Sequence, residues 1–324
     1  MTDDRGRFVL GVDSGGSGVR VAVAAVDGDA PLATLAVADP AVTGARGIDA
    51  ASLLERIVPA AGKLLGEAGA DRVDTACVGA AGMATLGGEL RERLPAALAG
   101  AFGVTRLALA ADAVTAYAGA LGQRRGAVVA AGTGMIALGT ALDAHGWRRA
   151  DGWGHLLGDC GGGAWIGRAG LEAALRCHDG RDGGSAPLLA RLEAVLGPAA
   201  ELPGRLYPRA DRPAVLASFA PEVAACAAAD PVAAGILRDA AGEIVTAAAA
   251  VCPEDGTMSF TGGLLNMGAP LLGPLDDALR ARLPHVTRRD PDGDPLLGAV
   301  RIARALAGDA LRLPVQMHGL LHIA

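Results

Sequence analysis

Residues 8–26 read FVLGVDSGGSGVRVAVAAV. Phe8–Val12 is a short apolar run, Val19–Val26 is a second and valine-rich one, and DSGGSG lies between them. Strand, glycine turn, strand is the pattern of a hairpin. It returns at Gly126–Ala131 (GAVVAA), a GTG turn and Met135–Leu142 (MIALGTAL). Two such units, about a domain apart, predict an internal duplication with one turn per half. Glycine carries no Cβ, so the backbone N–H groups of such turns can approach a phosphate closely. A dinucleotide fingerprint is excluded, because its glycines open a helix and both turns here run into β-type sequence.

Between the two hairpins the chain alternates in an α/β manner. Ala51–Gly66 reads as a helix, with Leu53, Leu54, Ile57, Val58, Leu64 and Leu65 at helical spacing. Thr75–Gly79 and Leu107–Ala110 read as buried strands, and a helix begins at Asp112 (DAVTAYAGAL). The second half holds the glycine cluster DGWGHLLGDCGGGAWIGR, helical stretches to about Ala250, a strand at Met258–Phe260 and a TGG turn. Residues 181–213, rich in glycine, proline and charge, read as a variable insertion. Pro295–Leu311 reads as a closing helix. The polar tail with Gln316, His318 and His322 is expected to be solvated, the alternative being that it covers a binding site, its own or a neighbour's.

Composition narrows the chemistry. The length of 324 residues favours two domains, and 51% hydrophobic residues supply ample core. Lys63 is the only lysine; leucine after it excludes a Walker loop, and its place on what reads as an amphipathic helix surface argues against Schiff-base catalysis. Any phosphate must be held by backbone amides, arginine or a metal. Net charge −6 with 3% aromatics argues against nucleic-acid partners. The acidic start MTDDRGRFVLGVD has no apolar signal core, and no stretch is long enough to span a bilayer. Five scattered cysteines (Cys77, Cys160, Cys177, Cys226, Cys252) without a CxxC pair fit reduced thiols, and a cytoplasmic location is expected.

Seven pieces in order, GVDSGGSG, VGAAGM, LALAADAVTAYAGAL, VVAAGTGMIALG, DGWGHLLGDCGGGAWIGR, FTGGLLN and DPLLGAVRIA, resemble the acetate and sugar kinase, actin and heat-shock chaperone superfamily of ATPases. Within it, the chain is similar to the N-acetylglucosamine kinase branch grouped with the BadF/BadG/BcrA/BcrD ATPases, in an actinobacterial type. The resemblance implies an α/β fold of two ribonuclease H-like (actin-like ATPase) domains, 1–121 and 122–298, with an active-site cleft between them. The closing helix, about 299–313, would pack back on the first domain. It further implies a kinase that uses ATP and Mg2+ to phosphorylate the 6-hydroxyl of an amino sugar, as a homodimer.

Residue by residue, Ser14, Gly15, Gly16, Ser17, Gly132, Thr133 and Gly134 would bind the ATP phosphates, the hydroxyls of Ser17 and Thr133 adding donors. Asp13 would hold Mg2+ through water; its other reading is a turn-capping residue. Asp112 is the candidate catalytic base, at the end of a buried strand and the start of a helix whose dipole favours its ionised form; otherwise it is an ordinary N-cap. Gly262, Gly263 and Asn266 match the adenosine motif. Trp153, Gly154 and Asp159 match the sugar-side loop, in which relatives carry glutamate where this chain has Cys160. Asp39 stands where relatives have Gly-x-Asn. A carboxylate there suits a protonated 2-amino group, so glucosamine is expected over N-acetylglucosamine. An activator of a radical dehydratase is disfavoured by the scattered cysteines, and a regulatory ATPase without turnover by Asp112 and the sugar-side loop.

Overall fold

The computed structural model describes residues 8–16, 18–28, 30–39, 41–44, 47–316 and 319–324. Ser17 and His318 lie outside these described residues. The chain divides into two units. The first holds residues up to Gly126, Thr140–Trp147 and Asp290–Ala324; the second holds Ala127–Gly139 and Arg148–Arg289. These limits differ from 1–121 and 122–298 for a packing reason. Trp147 packs edge-on against Tyr117, ring centroids 5.1 Å apart, and its Nε1–H donates to Pro314 O at 2.8 Å, which ties Thr140–Trp147 to the first unit.

The first unit is built on a six-stranded sheet in the order Leu321–Ile323, Arg106–Ala111, Thr75–Ala80, Phe8–Gly15, Gly18–Ala25, Ala33–Val37. Phe8–Gly15, Thr75–Ala80 and Arg106–Ala111 run parallel, and the first hairpin closes on it antiparallel with Gly15 opposite Gly18. Helix Ala50–Glu67 starts where Asp49 caps it, its carboxylate accepting Ser52 N–H at 2.6 Å, and it buries Leu53, Ile57, Leu64 and Leu65.

The closing helix spans Pro295–Ala307, shorter than expected at its end, because Gly308 caps it and Asp309 turns left-handed at φ 52°. It packs on the first strand and on helix Asp112–Leu121. A Cβ at Gly11 would lie 2.7 Å from Val300, and one at Gly298 would overlap the Thr115 carbonyl. Beyond it Gln316 is exposed, as expected of a solvated tail, but the described residues on either side are tied down. Gln123 accepts Arg312 N–H at 2.5 Å and donates to Ala310 O at 3.0 Å. Leu321–Ile323 then joins the sheet antiparallel to Arg106–Ala111, with His322 opposite Leu109.

The second unit carries a five-stranded sheet in the order Trp147–Asp151, Met135–Thr140, Gly126–Ala131, Thr257–Thr261, Thr287–Arg288. Residues 181–213 contain helices Ala186–Leu196 and Leu202–Leu206, whose Leu188, Leu192 and Leu202 enter the core. Ser185 caps the first of these and donates to Asp230 Oδ2 at 2.5 Å; Asp230 in turn caps Pro231–Val251. That last helix is apolar because Leu237, Ile244, Val245 and Val251 lie in the core of this unit. Among the described residues no single helix is long and apolar enough to cross a membrane.

Candidate active site

In the first unit the hairpin register sets Arg20 opposite Asp13. Arg20 donates to Asp13 Oδ2 through Nε–H at 3.1 Å and Nη2–H at 2.6 Å, and through Nη1–H to Asp294 Oδ2 at 2.5 Å. Asp294 also caps the closing helix, its Oδ1 accepting Leu297 N–H at 2.9 Å. Burial raises the Asp13 carboxyl above its ordinary value, and Arg20 opposes that rise. Asp13 Oδ1 carries no hydrogen bond among the described residues. One carboxylate with one uncommitted oxygen suits Mg2+, which keeps several waters and takes few carboxylates. Among the described residues no three His, Cys, Asp or Glu side chains gather to hold a metal unaided.

Gly15 and Gly16 stand at the tip of the hairpin, but Ser14 departs from the expectation. Its side chain is buried and its Oγ has no hydrogen-bond partner among the described residues, so strand alternation has turned the hydroxyl away from the tip.

Asp112 is exposed, while every later residue of helix Asp112–Leu121 is buried. Ala111, in extended conformation, occupies the cap position, which removes the N-cap reading of Asp112. The carboxylate sits in the first turn, accepting Ala113 N–H at 2.9 Å, where the helix dipole favours its charge. Asp39 is exposed beyond strand Ala33–Val37, and its carbonyl accepts Arg56 Nε–H at 2.9 Å. Four strand steps separate the strands that lead to Asp39 and Asp112, roughly 19 Å at about 4.8 Å per step. The sheet alone does not bring these two together.

In the second unit the GTG turn is backed by a helix. Gly163 N–H donates to Gly132 O and Ala164 N–H to Thr133 O, both at 2.8 Å, so the turn carbonyls cap helix Gly163–His178. Thr133 is exposed at the turn. Two cavities, about 210 and 380 Å³, adjoin here and share Pro221, Gly263 and Met267. The first reaches Gly132 and Thr133, the second Asn266, and no charged side chain lines either. Amides at one end and apolar walls with one carboxamide at the other are what a nucleotide needs. Gly262 lines neither cavity. At φ 108° it lies against the Ala131 carbonyl, where a Cβ would come within 2.2 Å, so its role is close approach of two strand ends.

The loop 151–163 is organised by a residue that the sequence reading passed over. Asp151, left-handed at φ 61°, accepts Asp159 N–H at 2.6 Å on Oδ1 and Cys160 N–H at 2.9 Å on Oδ2. Its signal was the Asp-Gly pair at 151–152, an Asx-turn pattern. Asp159 is itself committed to backbone: Oδ1 accepts Gly154 N–H at 3.1 Å, and Met135 N–H donates to the same carboxylate. It therefore braces the loop against the GTG turn. Burial raises its carboxyl above the ordinary value. The Arg149 guanidinium lies 4.5 Å over the ring of Trp153, which is 65% exposed. Gly154, at φ 86°, follows it.

Comparison with known proteins bears on this assembly. The BadF/BadG/BcrA/BcrD ATPase family matches residues 10–303. An N-acetylmuramic acid/N-acetylglucosamine kinase of Clostridium acetobutylicum is 30% identical over 176 residues, 54% of this chain and 56% of that protein, so the match spans about half of that relative. A candidate N-acetylglucosamine kinase from Chromobacterium violaceum superimposes with TM-score 0.72 at 30% identity, over 91% of this chain and 98% of the other. One from Porphyromonas gingivalis gives 0.71 at 18% identity, over 94% and 100%.

Proposed function

The chain belongs to the BadF/BadG/BcrA/BcrD ATPase family, with the two-domain actin-like α/β fold, and from that premise we propose that it is an ATP-dependent kinase for the 6-hydroxyl of an amino sugar. The observation that carries this reading is Asp112: an exposed carboxylate at the carboxyl end of a parallel strand, in the first turn of an otherwise buried helix. Placed there, it accepts the proton of the attacking hydroxyl. Transfer of a phosphoryl group is largely dissociative, so a weakly basic carboxylate suffices.

The other residues bind and orient. The amides of Gly15, Gly16, Gly132, Thr133 and Gly134 take phosphate oxygens, and the cavity at Gly263 and Asn266 takes the nucleoside. Trp153, Gly154 and Asp159 hold the sugar, on a loop that Asp151 keeps in shape. Asp13 would hold Mg2+, which would neutralise charge on the phosphates. Asp13 works ionised, and Arg20 lowers its carboxyl against the effect of burial. Arg20→Leu is therefore expected to raise that carboxyl further and move the acid limb of the kcat/KM profile toward neutral pH. An unmoved limb would separate Asp13 from the rate.

A coupled ADP-release screen over glucose, glucosamine, N-acetylglucosamine and N-acetylmannosamine tests the reading. Release with an amino sugar supports it. ATP binding without release on any sugar would leave a regulatory ATPase instead. Between the two leading sugars, the exposed Asp39 favours glucosamine, whereas the relatives are described as acting on N-acetylated sugars. Asp39→Asn is expected to lower kcat/KM for glucosamine about tenfold, the loss of one charge-assisted contact, with N-acetylglucosamine unaffected. Equal effects on both would refute the role of Asp39.

A further inference from the structure

The closing helix begins with a side chain that makes two different bonds. Asp294 Oδ1 accepts Leu297 N–H at 2.9 Å and so caps the helix, while Oδ2 accepts Arg20 Nη1–H at 2.5 Å. Capping uses one oxygen, and serine or asparagine would cap as well as aspartate. The second oxygen reaches a guanidinium whose other side is on Asp13 Oδ2, through Nε–H at 3.1 Å and Nη2–H at 2.6 Å. An ion pair with an aspartate this exposed adds little to stability. What it can set is the direction of the arginine.

The ends of this link are fixed and its middle is not. The Asp294 carbonyl accepts Gly298 N–H at 3.0 Å, and a Cβ at Gly119, on helix Asp112–Leu121, would lie 2.1 Å from it. Asp13 is held in the sheet, opposite Arg20 on one side and Gly79 on the other. Beside Arg20 lies a cavity of about 290 Å³, which Arg20 and Asp294 line together with Pro31, Thr34 and Leu297. A long side chain with open space on one flank keeps one rotamer only through the groups it is bonded to.

We infer that Asp294 is a positioning residue for Asp13: by holding the far end of the Arg20 guanidinium, it fixes Arg20 on one oxygen of Asp13 and keeps that carboxylate oriented for Mg2+. This rests on the role given to Asp13 above. Through the same contacts the helix that starts at Asp112 and the strand that carries Asp13 share one frame.

Asp294→Asn isolates the link. With the amide oxygen kept on Leu297 N–H, the NH2 group faces the guanidinium, and two donors cannot pair. Asp294→Ser keeps a cap on a side chain too short to reach Arg20. Both variants should therefore melt close to the parent. Mn2+ is the probe, its free concentration read by electron paramagnetic resonance with a non-hydrolysable ATP analogue present. Binding is expected to weaken about fivefold in both variants, the worth of one hydrogen bond, and at least as much in Asp13→Asn. In an Arg20→Leu background Asp294→Asn should add nothing, because both changes break the same link. Parent-like Mn2+ affinity in both Asp294 variants, with Asp13→Asn impaired, would overturn the positioning role and leave Asp13 in place. A full further loss in the Arg20→Leu background would overturn it as well. Parent-like affinity in Asp13→Asn would overturn the role of Asp13 and this inference with it. Weakened Mn2+ binding as expected, in a parent that turns over no sugar, would support the link and overturn only the kinase reading.

Discussion

Asp112→Ala is expected to lower kcat by about 10²–10⁴-fold, the range for removal of a positioned general base, while ATP binds as before. The expectation follows from what surrounds the residue. The helix cap is formed by Ala111, so Asp112 is not required to start the helix, and its carboxylate is the exposed group on an otherwise buried element. Alanine is also a good helix former, so the fold should survive. Steady-state turnover on the preferred sugar, with titration by a fluorescent ATP analogue, checks both halves of the claim. Turnover within a few-fold of the parent would remove Asp112 from the chemistry.

Gly298→Val should be severely damaging to stability, costing about 3 kcal/mol at the upper end of ordinary overpacking. A Cβ there falls on the Thr115 carbonyl oxygen and 2.6 Å from Gly119 N, both on the helix that begins at Asp112. The contact from the other helix is nearly as close, since a Cβ at Gly119 would lie 2.1 Å from the Asp294 carbonyl. Backbone meets backbone at this crossing, so no side chain can swing aside. Urea denaturation followed by circular dichroism reports the loss. A midpoint equal to that of the parent would show that the two helices separate without cost.

Much of this was legible in the residues. The hairpin at 8–26 and its copy at 126–142 carry alternation, glycine and valine in a pattern with one sensible geometry. The pairing of Asp13 with Arg20 was also readable: once the turn is placed at the tip of the hairpin, residues equidistant from it must face each other. What stayed hidden depends on distant partners. The helices within 181–213 are short, and their capping serine is bonded to Asp230, far along the chain. Their composition reads as a loop because burial, rather than propensity, makes them helical. Leu321–Ile323 is too short and too mixed for a period to show, and it becomes a strand only because Arg106–Ala111 presents an open edge. Asp151 sat in plain view within a quoted motif. Its work is done on backbone amides, which no side-chain pattern reveals.

That late strand has a consequence for how the chain comes off the ribosome. Arg106–Ala111 emerges early, but its outer neighbour is Leu321–Ile323. At roughly 5–20 residues per second, synthesis leaves that edge uncovered for on the order of ten seconds or more. An exposed strand edge is an invitation to pair with a passing chain. Meanwhile all of the second unit, which ends at Arg289, has been made and can fold. The unit that starts first is therefore finished last. Crowded overexpression should punish this protein through that edge, and slower induction at lower temperature should relieve it.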